Sequence, residues 1–431
     1  MIKKDIFAQI ILDFQKENLP DLIERDLKIE LEIPIKRAIA ILGPRRTGKT
    51  YYLYSLIKKL LEKGIEKEKI LYINFEDPKL VDISLEDLSV LLEVFYEIYP
   101  QNKKEKIWLF FDEIQNIKNW EIFIRKILDK EKAQIFLSGS SSKLLSKEIA
   151  TSLRGRTLSY LLLPFSLAEV LKTKNLQYKK YLSSDEKEKI LNTFWEYFNF
   201  GGYPETIIYP KGRKKIINEI IEVTIHRDLI ERYKLRNTKL IKLMFNYLVK
   251  AKEFSVHKFY HFLKSINIKV SKNSLYNYLE YFNDAFIFYS LKKFSYSLKK
   301  AEQSFSKIYT VDNAFISEII GDDKGKKLEN LVFLSLLRKG YEINKNIFYY
   351  LNGKEVDFLI KEKNKVKILI QACHDVENYL TKERELKSLI KASRELKCSN
   401  LLVITSEYEG KEKVKGKTIR FVPLWKWLLE E

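Results

Sequence analysis

Cysteine is almost absent: only Cys373 and Cys398 occur in 431 residues, which excludes a disulfide framework and a four-cysteine zinc site. That scarcity suits a reducing cytoplasm, the location expected here. Glycine is sparse too, at 14 residues, so a glycine-bounded motif that does occur carries weight. No run of about 18 apolar residues occurs, so no membrane-spanning helix is expected. The opening MIKKDIFAQIILDF starts like a signal peptide, but Asp5, Gln9 and Asp13 interrupt the apolar stretch that an export signal needs.

Positive charge, by contrast, is in excess. Lys plus Arg number 78 against 58 Asp plus Glu, a net charge of +20 that favours a polyanionic partner such as nucleic acid. The same excess would also arise from a lysine-rich composition set by an A/T-rich genome or by surface ion pairs in a thermophile. At this length the chain is too long for one core, and two or three domains are expected.

Short apolar strands alternate with helices over the first 166 residues, after an opening helix from Ile6 to about Glu17. The strands fall at Ala38–Leu42, Ile70–Phe75, Ile107–Phe111, Gln134–Leu137 and Leu158–Leu163. This alternation implies a parallel sheet wrapped by crossover helices, with its chemistry at the strand C-terminal ends. A polar, lysine-rich stretch from Lys172 to Lys189 reads as a loop. Helical periodicity returns at Ile190–Phe200, breaks at FGGYPE (Phe200–Glu205) and resumes from Ile216 to about Leu235. Beyond Gly321–Gly325 a mixed segment carries strands near Ile347, Val356, Val366, Leu401 and Ile419.

Directly after the first strand stands GPRRTGKT, Gly43 to Thr50, which fits G-x-x-x-x-G-K-[ST]. Gly43 and Gly48 let the backbone turn tightly enough for the N–H groups of Pro44's successors, Arg45, Arg46 and Thr47, to face phosphate oxygens. The helix that follows turns its positive end toward the same phosphates. Lys49 would reach the β- and γ-phosphates of ATP or GTP, and the Thr50 hydroxyl would ligate Mg²⁺. The third strand ends in Asp112 and Glu113. Adjacent strand residues point in different directions, so Asp112 is read as the Mg²⁺ carboxylate and Glu113 as the base that activates water. The fourth strand ends in hydroxyl residues, of which Ser140 is the candidate for touching the γ-phosphate or its water. In Leu153-Arg154-Gly155-Arg156, an arginine just before the last strand could serve a neighbouring subunit's nucleotide.

These motifs together resemble the AAA+ class of P-loop ATPases. A fuller resemblance covers almost the whole chain: archaeal and bacterial ATPases that join an AAA+-like module to a C-terminal domain of unknown function. It rests on the octet, Asp-Glu-Ile-Gln, Gly-Ser-Ser-Ser-Lys-Leu-Leu, Leu-Arg-Gly-Arg and Phe-Gly-Gly-Tyr-Pro-Glu in that order. The resemblance implies ATP and Mg²⁺ as ligands, Ser140 as sensor 1, Arg156 (or Arg154) as an arginine finger, and hence a homo-oligomer. It assigns no sensor 2; Arg227 in His-Arg-Asp-Leu is a candidate.

Residues 239–300 hold twelve lysines against Glu253, Glu280 and Asp284, a net +9. Ser255–Ile266 reads as one helix with Val256, Phe259 and Leu263 inward. Ser271 caps a second, burying Leu275, Leu279 and Phe282. Lys272, Asn273, Tyr276, Asn277 and Glu280 are left outside, a set suited to a DNA groove. Strands Ala285–Leu291 and Phe294–Leu298 would bracket Lys292 and Lys293 like a wing. The pattern looks like a winged helix-turn-helix with duplex DNA as partner. His257 and His261 lack a third ligand at metal spacing and are expected to pack as partly buried rings.

The tail carries Glu329, Glu355-Val-Asp357 and Leu369-Ile-Gln371-Ala-Cys373, which resemble the PD-(D/E)xK restriction-endonuclease-like core. Such chemistry needs carboxylates around Mg²⁺ and a lysine. Glu329 and Asp357 are present, but Gln371 and Cys373 stand where an acid and a lysine belong. The expectation is an inactive, nuclease-derived domain. The fold class expected is therefore α/β: an AAA+-like P-loop domain (1–170), a helical lid (171–237), a winged helix-turn-helix (238–320) and a restriction-endonuclease-like α/β domain (321–431). The function expected is a Mg²⁺-dependent ATPase coupled to DNA binding. The alternatives are a nucleotide-switched module that binds a protein partner and an ATP-regulated nuclease.

Overall fold

β1 (Ala38–Leu42) reads Ala-Ile-Ala-Ile-Leu, and a strand apolar at every position must be covered on both faces; all five residues are buried. The computed structural model describes residues 2–141, 153, 155–297, 299, 301 and 304–430. They divide into two units, residues 1–163 with 284–286, and residues 164–283 with 287–431.

In the first unit α1 (Ile2–Lys16) precedes β1, starting earlier than the expected Ile6. Then follow α2 (Lys49–Glu62), β2 (Ile70–Asn74), α3 (Leu85–Ile98), β3 (Ile107–Asp112), α4 (Trp120–Lys130), β4 (Ala133–Gly139) and β5 (Thr157–Leu161). The strands form one parallel sheet in the order β2-β3-β4-β1-β5. Tyr52, Leu53, Leu56 and Ile57 of α2 pack on Ile39, Ile41, Phe110 and Phe136, with Phe14 of α1 in the same core. The register aligns Leu42 with Gly139, and Asn74 with Asp112. The ends of β1, β3 and β4 thus lie side by side, where such sheets bind ligands.

The second unit begins with helices Leu167–Thr173, Ser184–Phe200, Pro204–Ile208 and Arg213–Val223, the last continuing as a π-helical stretch, Thr224–Glu231. The expected loop 172–189 is shorter than its composition suggests. A capping box starts the helix at Ser184: the Ser183 hydroxyl accepts from the Glu186 amide at 3.2 Å and Glu186 accepts from the Ser183 amide at 2.8 Å. At the FGGYPE break Gly201 has φ 73°, and a Cβ there would lie 1.5 Å from Asp312 Oδ1. Asp312 occupies that space because it accepts from the Gly202 amide at 2.8 Å.

Next come the helix Thr238–Lys250, β6 (Glu253–Phe254), the helices Val256–Ser265 and Lys272–Asp284, β7 (Phe288–Leu291) and β8 (Ser306–Thr310). The three strands form an antiparallel sheet ordered β6-β8-β7. The expected return strand Phe294–Leu298 does not form over its described residues, and Leu298 lies outside them. Phe294 is instead buried among Val356, Leu359 and Leu369, its amide donating to Tyr349 O at 2.7 Å. The strand that pairs with β7 is β8.

After the helices Asn313–Ile319 and Lys324–Arg338 comes a six-stranded sheet: β9 (Ile347–Leu351), β10 (Glu355–Glu362), β11 (Lys365–Cys373), β12 (Leu401–Thr405), β13 (Gly410–Val414) and β14 (Lys417–Pro423). Its order is β13-β14-β12-β11-β10-β9. β11, β12 and β14 are parallel, and β9, β10 and β13 join antiparallel. The helix Tyr379–Glu395 makes the crossover from β11 to β12, and Leu424–Leu429 closes the described chain. β13, with the sequence GKEKV, was not anticipated. Among the described residues no helix is long and apolar enough to cross a membrane.

Candidate nucleotide site, helical face and carboxylate cluster

The cradle is sterically closed at Gly43. A Cβ on Gly43 would lie 2.2 Å from Leu162 O, on the chain just past β5. Arg46 and Gly48 take φ 62° and 86°, and Gly48 caps α2, so the loop turns directly into the helix N-terminus. Pro44 O accepts from Thr47 Oγ1 at 3.0 Å and from Lys49 Nζ at 3.1 Å. Arg45 pairs with Glu76 at 2.9 Å. An unanticipated side chain supports the loop from behind: Arg25 donates to Thr47 O at 2.8 Å and to Leu163 O at 2.6 Å. Holding the Thr47 carbonyl outward favours inward-facing N–H groups.

Asp112 and Glu113 sit beside this loop. Thr50 Oγ1 donates to Asp112 Oδ2 at 2.7 Å and Tyr72 OH donates to the same oxygen at 3.0 Å, while Ser138 Oγ bonds Oδ1. Burial pushes the Asp112 carboxyl above its usual range, and the Glu113 charge adds to that; the three hydroxyls oppose it. Glu113 Oε1 lies 3.2 Å from Lys49 Nζ, and its other oxygen accepts from Gln115. Burial acts to raise Glu113, but Lys49, Gln115 and Arg45 outweigh it and hold the carboxyl below its usual range. A hydroxyl and a buried carboxylate converging this closely fit Mg²⁺ chemistry, which takes oxygen ligands.

Ser140 is buried near Gln115, whose Nε2 lies 3.4 Å from its Oγ. The serine on the acidic pair is Ser138, which also accepts from the Glu113 amide at 2.9 Å. Ser138 lies within β4, whereas Ser140 lies just past its end. Arg156 lies at the start of β5, and its carbonyl accepts from the Ala38 amide at 2.9 Å. It is therefore about 16 Å of strand away from the Gly43 end of its own sheet. Its guanidinium pairs with Asp129. Arg154 lies outside the described residues, as do residues 142–152, which include Ser142 to Leu145 of the serine-rich motif. Arg227 is exposed and pairs with Glu231 at 3.9 Å.

On the helices of the second unit Val256, Phe259, Leu263, Leu275 and Phe282 are buried, and Leu279 is half-buried. Ser271 caps the second helix, accepting from the Ser274 amide at 3.0 Å. Lys272, Asn273, Tyr276, Asn277 and Glu280 are all exposed on one face. Lys292 and Lys293 do not stand on a wing tip: the Lys292 amide donates to Asn344 at 2.7 Å, and Lys293 bridges to Tyr349 of β9. His257 and His261 are exposed rather than partly buried, with ring nitrogens 3.0 Å apart. Among the described residues no cluster of three or more His, Cys, Asp or Glu side chains is arranged to hold a metal.

Glu329 and Asp357 do come together, and a third carboxylate, Glu355, joins them. At the centre is Lys307, fully buried, with Nζ 2.9 Å from Glu329, 2.9 Å from Glu355 and 2.8 Å from Asp357. Lys307 comes from β8 and was not among the residues expected here. Gln371 Oε1 accepts from the Asp357 amide at 3.3 Å, and its amide nitrogen bonds Glu385. Cys373 is buried in the apolar core, and burial pushes its thiol up to about 12.

Residues 35–171 match an AAA domain, residues 191–326 a domain of unknown function (DUF8612) and residues 324–427 another (DUF4143). The chain is 44% identical to the uncharacterized protein MJ1544 of Methanocaldococcus jannaschii, over 99% of this chain and 96% of that one. It is 27% identical to an uncharacterized protein of Haemophilus influenzae, over 89% and 93% of the two chains. Among solved structures, the Aeropyrum pernix ORC1 protein in complex with DNA aligns over 74% of this chain and 91% of that one, at 11% identity and a TM-score of 0.30. AMPPCP-bound DnaA from Aquifex aeolicus aligns over 64% and 85%, at 11% identity and a TM-score of 0.25. Likeness at that level carries no residue-by-residue correspondence. With its octet, parallel sheet and near full-length match to MJ1544, the chain belongs to that protein's family, AAA+-like P-loop ATPases with additional C-terminal domains of unknown function.

Proposed function

We propose that this protein is a Mg²⁺-dependent ATPase whose nucleotide state governs contact with duplex DNA. The carrying observation is the meeting of Lys49, Thr50, Asp112 and Glu113 at adjoining strand ends. Lys49 pairs with Glu113. Arriving phosphates compete for the lysine, and its departure frees Glu113 to take a proton from the attacking water. Thr50 and Asp112 would hold Mg²⁺, which when bound offsets charge on the phosphates. Ser138 would hold the acidic pair in position, and Ser140 with Gln115 would line the water's side. Arg156, at the far end of its own sheet, would act on a neighbouring copy's nucleotide, which makes the working form a homo-oligomer.

The DNA reading rests on Lys272, Asn273, Tyr276 and Asn277, exposed on one face of a capped helix in the most basic part of the chain. The wing has less support, because Lys292 and Lys293 are tied to the C-terminal sheet. The test is steady-state ATP hydrolysis with and without duplex DNA, with binding measured at about 50 and 200 mM salt. Phosphate-led binding predicts a steep loss of affinity over that range. No measurable DNA binding at the lower salt, with turnover unchanged by DNA, would instead favour a nucleotide-switched module with a protein partner.

A further inference from the structure

A restriction-endonuclease-like core implies a divalent cation among its carboxylates, and these residues do not fit one. Glu329 comes from the helix Lys324–Arg338, Glu355 and Asp357 from β10, and each points an oxygen at the same atom, Lys307 Nζ, from 2.8 to 2.9 Å. An ammonium has three protons, and three carboxylates take them. Those separations are hydrogen-bond lengths, whereas Mg²⁺ holds its oxygens at about 2.0–2.1 Å. The same oxygens take further partners: Tyr309 OH donates to the Glu329 Oε1 that Lys307 holds, at 2.7 Å, and Lys252 lies 3.6 Å from the Glu355 Oε1 that it holds, while the Ala372 amide donates to the other oxygen of Asp357 at 2.9 Å. Gln371, a fourth donor in position, faces the Asp357 amide and Glu385.

The centre is not sealed. A cavity of about 870 Å³ is lined by Glu329, Glu355, Asp357 and Gln371, so ions in solution have access to the carboxylates. We propose that the Lys307 ammonium has taken the place of the divalent cation, making this centre a metal-independent ion-pair hub that fastens β8 to β10 and to the helix Lys324–Arg338. The charge arithmetic agrees: three carboxylates outweigh burial and hold Lys307 well above its usual range, so it remains an ammonium. Burial, with the Glu329 charge adding to it, raises the Asp357 carboxyl to about 7 despite Lys307, so near neutral pH the pocket stays anionic chiefly through Glu329 and Glu355. Removing the lysine would leave a site that a divalent cation can fill.

The test is calorimetric titration with Mn²⁺, without nucleotide, on the full chain and on Lys307→Met, each compared with Asp357→Asn. The wild type should show no Mn²⁺ uptake that depends on Asp357. Lys307→Met should melt roughly 5–10 °C lower, because the buried Asp357 and the half-buried Glu329 and Glu355 lose their shared counter-charge, and should regain several degrees with millimolar Mn²⁺. Asp357-dependent Mn²⁺ binding by the wild type would overturn the proposal, and so would a folded Lys307→Met chain that ignores the ion. If Lys307→Met does not fold with or without Mn²⁺, the wild-type titration alone decides. None of these readouts depends on ATP turnover, so failure here and failure of the ATPase reading are distinguishable.

Discussion

Lys49 is held by Glu113 at 3.2 Å and by Pro44 O at 3.1 Å. Two substitutions separate its roles. Lys49→Ala should abolish hydrolysis and weaken nucleotide binding, while Glu113→Gln should bind ATP and turn it over about 10²–10⁴-fold more slowly. Full turnover by Glu113→Gln, measured as phosphate release, would remove the base assignment. Arg25 offers a subtler contrast: Arg25→Ala frees the Thr47 carbonyl and should cost about 1–3 kcal/mol of ATP affinity, seen in KM more than in kcat. Gly43, Lys49, Asp112 and Glu113 were legible because each is bound to a local pattern. Arg25 and Lys307 were not, because an arginine 22 residues from its acceptor and a lysine among many others leave no local mark.

At the scale of elements, Asp312 shows how a break in helical pattern is held. It caps the helix Asn313–Ile319 through the Ala314 amide at 2.8 Å and anchors the Gly202 amide at the same distance. Burial raises its carboxyl to about 6 from an ordinary 3.8. A raised carboxyl contributes stability that is full below pH 4 and is lost as pH rises through 6, worth about 3 kcal/mol at most. Asp312→Asn should flatten chemical-denaturation stability between pH 4 and 6 relative to wild type. An unchanged slope would mean that Asp312 is not the titrating group. Strands β1 and β3 announced themselves as near-continuous apolar runs, which burial on both faces explains. β13 did not, since GKEKV has no apolar alternation. The return strand was misplaced at Phe294 because its burial among Val356 and Leu359 is a tertiary fact.

For the molecule as a whole, the exposed face at Lys272, Asn273, Tyr276 and Asn277 and the hydrolytic site are separable by substitution. Replacing Lys272, Tyr276 and Asn277 together with alanine should leave basal ATP hydrolysis within about twofold, yet lower duplex affinity by at least tenfold and remove any stimulation by DNA. Gel-shift titration and a coupled ATPase assay read the two effects independently. Retained DNA affinity would move the interface elsewhere on the basic surface. The composition signalled a polyanion partner only in general terms, because +20 over 431 residues names no surface.

The ion-pair hub has a practical consequence for cutting the chain. A fragment beginning near Gly321, or one spanning only residues 324–427, would keep Glu329, Glu355 and Asp357 but leave Lys307 behind. Such a fragment would present three acids with no internal counter-ion and should scavenge divalent ions from its buffer. Nuclease-like metal uptake by the isolated tail would then be a product of the scissors, not a property of the intact protein.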